Sequence, residues 1–106
     1  MPTARIVLPR EVKKGEIFEI KTLITHDMET GHRRDGAGNQ VPRNIINRFT
    51  ATYDGEEIFS AELFPGVAAN PFVAFSTIAT VSGDIVFAWT DDPGATHTET
   101  VKIKVV

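Results

Sequence analysis

The sequence predicts an all-β protein, an antiparallel β-sandwich of about seven strands, on three observations. Apolar residues recur with period two, and no stretch carries the 3.6-residue period of an ordinary helix. Turn residues interrupt the alternation at short intervals. The 106 residues suffice for one domain and one core. They include no cysteine, so no disulfide is available and packing with hydrogen bonds must hold the fold.

The elements follow in order. Ile6, Val7 and Leu8 form a short first strand that Pro9 stops. After Lys14-Gly15, residues 16–25 read as a long strand, with Phe18, Ile20 and Ile24 on one face and Glu19, Lys21 and Thr25 on the other. Residues 26–43 break the alternation. They are polar, charged and glycine-bearing, and are predicted as a long loop, a length usually reserved for functional or mobile segments. Strand character returns over 44–53, Asp54-Gly55 signals a hairpin, and 57–64 is the returning strand. Pro65-Gly66 ends it and residues 67–71 link onward. Residues 72–81 alternate again, with Val73, Phe75, Ala79 and Val81 on one side. The turn at 82–84 leads to a strand over 85–90 whose Ile85, Phe87 and Trp89 share a face. After the turn at 91–94, the last strand over 96–105 sets Val101, Ile103 and Val105 against Thr100, Lys102 and Lys104. Seven strands in about a hundred residues predict an immunoglobulin-like or fibronectin-like sandwich, residues 1–106 forming a single domain. Trp89 lies on the sixth strand and so does not match the strand-C tryptophan of antibody domains.

Composition excludes several functions. Hydrophobic residues at 42% and charged residues at 24% are globular values and argue against disorder. The net charge of −3 lacks the basic footprint of non-specific nucleic-acid binding. No run approaches the ~18 apolar residues of a membrane-spanning helix. The first residues show no apolar signal-peptide core, which favours a cytoplasmic protein unless a signal-bearing partner exports it. Without cysteine, thiolate catalysis, iron–sulfur clusters and blue-copper sites are excluded.

The chemical constellations are sparse. His26, Met28 and His32 lie close together, with His97 in the last hairpin. A superoxide-reductase-like iron site takes four histidines and a cysteine, against three histidines and none here. Zinc held by two or three histidines with Asp27 or Glu29 stays open, as does a plain polar role. Ser60, Ser76 and Ser82 sit in no nucleophile elbow. The adjacent carboxylates Glu56-Glu57 and Asp91-Asp92 fall at turns, and neighbouring strand residues face opposite ways. Gly36-Ala37-Gly38-Asn39 lacks the Gly-Lys-Ser/Thr of a phosphate loop. Arg33, Arg34, Arg43 and Arg48 cluster in sequence and suit anions or protein interfaces, with Arg34 and Asp35 placed to pair within the loop. Apolar residues also remain on second strand faces: Ile17 and Leu23, Ile45 set against Ile46, and Phe72 with Ile78. Such a surplus predicts a sheet covered by a partner.

Taken in order and spacing, several blocks resemble the SoxZ family. They are Lys14-Gly15-Glu16, His26-Asp27-Met28-Glu29-Thr30-Gly31, Arg33-Arg34-Asp35, Ile45-Ile46-Asn47-Arg48-Phe49, Ala69-Asn70-Pro71-Phe72 and Phe87-Ala88-Trp89-Thr90-Asp91. The resemblance spans almost the whole chain. It implies an immunoglobulin-like subunit without catalytic residues or cofactors, in an obligate heterodimer with SoxY. A SoxY cysteine carries the sulfur intermediates of thiosulfate oxidation between SoxAX, SoxB and SoxCD. It further implies a periplasmic location, reached by export with signal-bearing SoxY. On this reading Met28, Glu29, Arg33, Arg34, Arg43, Ile45 and Phe72 are expected at the partner surface or the cargo path, the arginines attracting anionic cargo. In isolation the chain is expected to be able to form homodimers. Two other classes compete: a His/Met metal-binding redox domain, and a free-standing immunoglobulin-like ligand-binding module.

Overall fold

The computed structural model describes residues 3–67 and 69–106; Met1, Pro2 and the linker residue Ala68 lie outside the described residues. The described residues form eight strands: β1 (Ala4–Val7), β2 (Glu11–Val12), β3 (Ile17–Ile24), β4 (Ile46–Tyr53), β5 (Glu56–Glu62), β6 (Phe72–Ile78), β7 (Gly83–Asp91) and β8 (Thr96–Val105). They make a three-stranded sheet, β1-β3-β6, and a five-stranded sheet, β2-β8-β7-β4-β5. The expected all-β, immunoglobulin-like sandwich stands.

The eighth strand corrects the predicted count and the expectation of a wholly antiparallel fold. β2 pairs parallel to β8, Glu11 opposite Lys104 and Val12 opposite Val105. It arises where the chain leaves one sheet for the other around Pro9. The Arg10 carbonyl accepts from the Lys104 amide at 2.9 Å, and the Val12 carbonyl from the Val106 amide at 3.0 Å. Two residues carry no readable alternation, so the pattern was blind to this strand.

Period-two burial holds along β3 and β7, whereas Val81, expected on the side of Val73, Phe75 and Ala79, lies beyond β6 and is 43% exposed. In β3 the buried residues are Phe18, Ile20, Thr22 and Ile24, and in β7 Ile85, Phe87 and Trp89. Phe49 on β4 sits at the centre of an aromatic cluster with Phe59, Phe75, Phe87 and Trp89, all with ring centroids 5.2–6.3 Å from its own. These rings come from both sheets, so the cluster joins the two layers. Asp54 and Gly55 both have positive φ, 51° and 82°, as a tight primed hairpin turn requires.

Several boundaries differ from expectation; β1 runs Ala4–Val7 where residues 6–8 were expected, and β4 begins at Ile46 where 44 was expected. β5 stops at Glu62, two residues before the predicted end, because Pro65-Gly66 turns the chain away. β6 stops at Ile78, because the Val81 carbonyl is taken by the Tyr53 hydroxyl, which also accepts from the Thr80 and Val81 amides, each at 3.2 Å. Ile45 and Ile46 are both buried. Ile45 precedes β4, and the β4–β7 register shifts between Ile46 and Arg48, so strict alternation does not apply there.

Candidate partner interface and arginine ribbon

The three-stranded sheet turns its inner face to the core and leaves its outer face open. Along β3 the outward residues are Ile17, Glu19, Lys21 and Leu23. The register sets Ile78 opposite Ile17 and Phe72 opposite Leu23, and places Val7 opposite Lys21. Ile17 is 72% exposed, Phe72 60%, Val7 57%, Ile78 51% and Leu23 37%. They form apolar pairs at both ends of the face, with a Glu19–Lys21 ion pair of 3.5 Å between them. Isolated exposed apolar residues are ordinary, but five on one sheet face mark an interaction surface. Sequence reasoning found four of these five; Val7 was missed because a four-residue strand does not establish a phase.

Residues 26–43 are not an open loop. Two antiparallel bridges, Glu29 to Asn44 and Arg34 to Gln40, make them a ribbon. Glu29 and Asn44 exchange backbone bonds of 2.9 and 2.8 Å, and the Val41 amide reaches the Arg33 carbonyl at 2.8 Å. At the tip the Asp35 carboxylate accepts from the Ala37 and Asn39 amides at 2.9 and 3.0 Å. That engagement, with Arg34 turned to the Gly38 carbonyl at 2.9 Å, replaces the expected Arg34–Asp35 pair. The molecule measures 59 × 20 × 19 Å. Strands of eight to ten residues account for only about 27–34 Å of that length, and the ribbon extends the particle.

The ribbon is clamped at its base. Arg43 forks onto Asp92 just beyond β7, Nε to Oδ2 at 2.8 Å and Nη2 to Oδ1 at 2.9 Å. Asp92 also accepts from the Ile45 amide at 3.1 Å and from Asn47 Nδ2 at 3.0 Å. The guanidinium first, then Asn47 and the Ile45 amide, hold the Asp92 carboxyl well below the usual carboxylate range against the opposing effect of burial. Gly31, at φ 86°, packs so closely that a Cβ there would meet the Arg43 Cβ at 3.0 Å. Arg33 is held by Glu29, with Nε at 2.9 Å and Nη2 at 2.5 Å from one carboxylate oxygen. That bond lowers the Glu29 carboxyl below its usual value and raises Arg33.

The expected site residues therefore separate. Phe72 lies on the open sheet face, while Glu29, Arg33, Arg34 and Arg43 lie on the ribbon. Of the three ribbon arginines, only Arg34 has no carboxylate partner among the described residues. Met28 and Ile45 correct the expectation of surface contact: they are 3% and 0% exposed. Met28 has φ 53°, donates its amide to His26 Nδ1 at 2.9 Å and receives the Ile46 amide on its sulfur at 3.3 Å. Both residues anchor the ribbon to the core. Asp92, the centre of the clamp, was legible only as a turn residue, because its partners lie 45 or more positions away.

The three histidines do not gather at one place. His26 and His97 line a cleft of about 200 Å³ floored by Ile24, Ile46 and Trp89. His97 is engaged with Glu99 at 2.9 Å. His32 lies on the ribbon. Among the described residues no three metal-ligating side chains converge.

Comparison with solved structures finds the same fold in proteins of different kinds. A superoxide reductase (neelaredoxin) from Ignicoccus hospitalis is similar with a TM-score of 0.72 and 19% identity, over 98% of this chain and 80% of that one. The sulfur carrier protein SoxY from Chlorobium limicola f thiosulfatophilum is similar with a TM-score of 0.68 and 11% identity, over 97% of this chain and 78% of that one. These likenesses establish the fold alone. The donor set of a four-histidine, one-cysteine iron site is not present here: the sequence has three histidines and no cysteine. No curated protein matches the chain. Residues 6–102 match the family described as Sulphur oxidation protein SoxZ. An all-β sandwich with one open apolar sheet face and no cysteine, matched over nearly its whole length, belongs to the SoxZ family.

Proposed function

We propose that this chain is the non-catalytic half of a two-chain sulfur carrier, packing the outer face of β1-β3-β6 against SoxY while a SoxY cysteine holds the sulfur intermediate. The apolar face carries this reading. Each of Val7, Ile17, Leu23, Phe72 and Ile78 exposes on the order of 100 Å², so together they offer ~500 Å². That is most of the ~800 Å² per partner in a stable interface. Family membership and a partner family with the same sandwich fold support SoxY as the occupant. Having no thiol of its own, the chain needs a partner to hold covalent sulfur. Under this reading the pair works in the periplasm, this chain travelling with its signal-bearing partner, and the ribbon meets SoxAX, SoxB and SoxCD during turnover.

The test is co-expression with a SoxY from the same organism. Wild type is expected to co-purify as a 1:1 pair. Ile17→Glu and Phe72→Glu, both at exposed positions, are expected to fold normally and to weaken pairing by about 30-fold or more. A wild-type chain that never pairs refutes the carrier reading. Undiminished pairing by both variants refutes the face.

A further inference from the structure

We infer that β6 is a self-complementary edge through which two copies of the isolated chain pair antiparallel. Among the described residues β6 bonds only β3, which leaves its other side open. The Pro71 carbonyl accepts from the Ile24 amide at 3.3 Å, and the Ala79 amide donates to the Glu16 carbonyl at 2.9 Å. Residues of that parity turn their backbone groups to β3. Antiparallel pairs alternate, so the amides and carbonyls of Phe72, Ala74, Ser76 and Ile78 point to the open side. Among the described residues, no other segment bonds them.

Among the described residues nothing defends this edge. Native sheets protect free edges with charge, proline, bulges or brevity. β1 carries Arg5, β2 has two residues, and β5 carries Glu56, Glu57 and Glu62. β6, with the sequence FVAFSTI, is seven residues long, uncharged and free of proline. It also runs in unbroken register with β3.

The order of residues on β6 selects the occupant. An antiparallel pairing of two copies centred on Phe75 sets Phe72 against Ile78, Val73 against Thr77 and Ala74 against Ser76. Each pair is of similar size and on the same face. Because Ala74–Ser76 and Phe72–Ile78 are the residues with outward backbone groups, those pairs exchange both bonds, and Phe75 meets its own copy at the closer, non-hydrogen-bonded position. A strand with any net charge would oppose like charges in such a pairing; this one has none. The twofold closes, giving a dimer with no further free β6 edge. It leaves the outer apolar faces of both copies open, so this inference stands apart from the partner reading.

The test is sedimentation equilibrium of the isolated chain from micromolar to millimolar concentration, expected to give a monomer–dimer equilibrium. The double variant Ala74→Lys/Ser76→Lys opposes like charges twice and is expected to weaken the dimer about tenfold or more, with an unchanged unfolding midpoint. Ala74→Glu/Ser76→Glu is expected to do the same, and a 1:1 mixture of the two should recover dimer. In this cysteine-free chain, Phe75→Cys should cross-link to its own copy on mild oxidation, since the Cα separation of such a pair, about 4.5 Å, lies within disulfide reach. Ile17→Cys should not. A monomeric wild type, a dimer unaffected by the lysines, a mixture that stays monomeric, or a folded Phe75→Cys chain that does not cross-link overturns the inference. If Phe75→Cys unfolds, the charge variants decide.

Discussion

Tyr53→Phe removes one oxygen atom and tests how the two sheets are tied together. Tyr53 is 4% exposed at the end of β4. Its hydroxyl donates to the Val81 carbonyl and accepts from the Thr80 and Val81 amides. One side-chain oxygen thus holds three backbone groups of the segment leading from β6 in one sheet to β7 in the other. Phenylalanine keeps the ring in its site, so no packing is lost. The cost is the net value of the bonds, about 0.5–1.5 kcal/mol each, discounted because Thr80 and Val81 are exposed and water can replace part of what is lost. We expect about 2 kcal/mol. For a domain of this size that lowers the midpoint by roughly 10 °C. Urea unfolding followed by the single tryptophan, Trp89, which is 2% exposed, measures it directly. The m-value should not change, since the exposed surface does not. A loss below about 0.5 kcal/mol would mean that the hydroxyl network contributes nothing net and that aromatic packing alone joins the layers.

Three further outcomes follow from the same geometry. Phe49→Ala deletes the hub of the aromatic cluster and should cost about 3–5 kcal/mol in urea unfolding, enough to leave the isolated domain marginal. Asp92 has a lowered carboxyl, so its stabilisation is full above the ordinary Asp value of about 3.9 and is lost as pH falls through that value toward the lowered one. An acid titration of stability should therefore be steeper below pH ~4 in wild type than in Asp92→Asn, and equal slopes would count against the clamp. On the proposed carrier role, Arg34→Ala should slow turnover most among single alanine substitutions in the ribbon, because Arg33 and Arg43 are already paired with Glu29 and Asp92. Turnover measured with each Sox enzyme decides this, and equal effects of all three would indicate that the ion pairs open during docking.

Much of the fold was legible because β-strand burial alternates residue by residue. Phe18, Ile20 and Ile24, and then Ile85, Phe87 and Trp89, declare their faces in the sequence. The apolar surplus at Ile17, Leu23, Phe72 and Ile78 was legible for the same reason. β2 was not, since two residues have no period and a parallel pairing across more than ninety positions leaves no local trace. The ribbon was mistaken for a loop because its pairing rests on two isolated bridges instead of an apolar alternation.

The sequence by itself determined the fold class, the absence of any thiol to load and the existence of an apolar excess, all of which are properties of residue type and short-range order. Only the tertiary structure decided where that excess lies. Registers between strands far apart in the chain brought Ile78 against Ile17 and Phe72 against Leu23 on one open face. It also decided which charges are free. Whether an arginine can meet an anion depends on what already neutralises it, and Asp92 reaches Arg43 from 49 positions away, a distance over which no local pattern carries information.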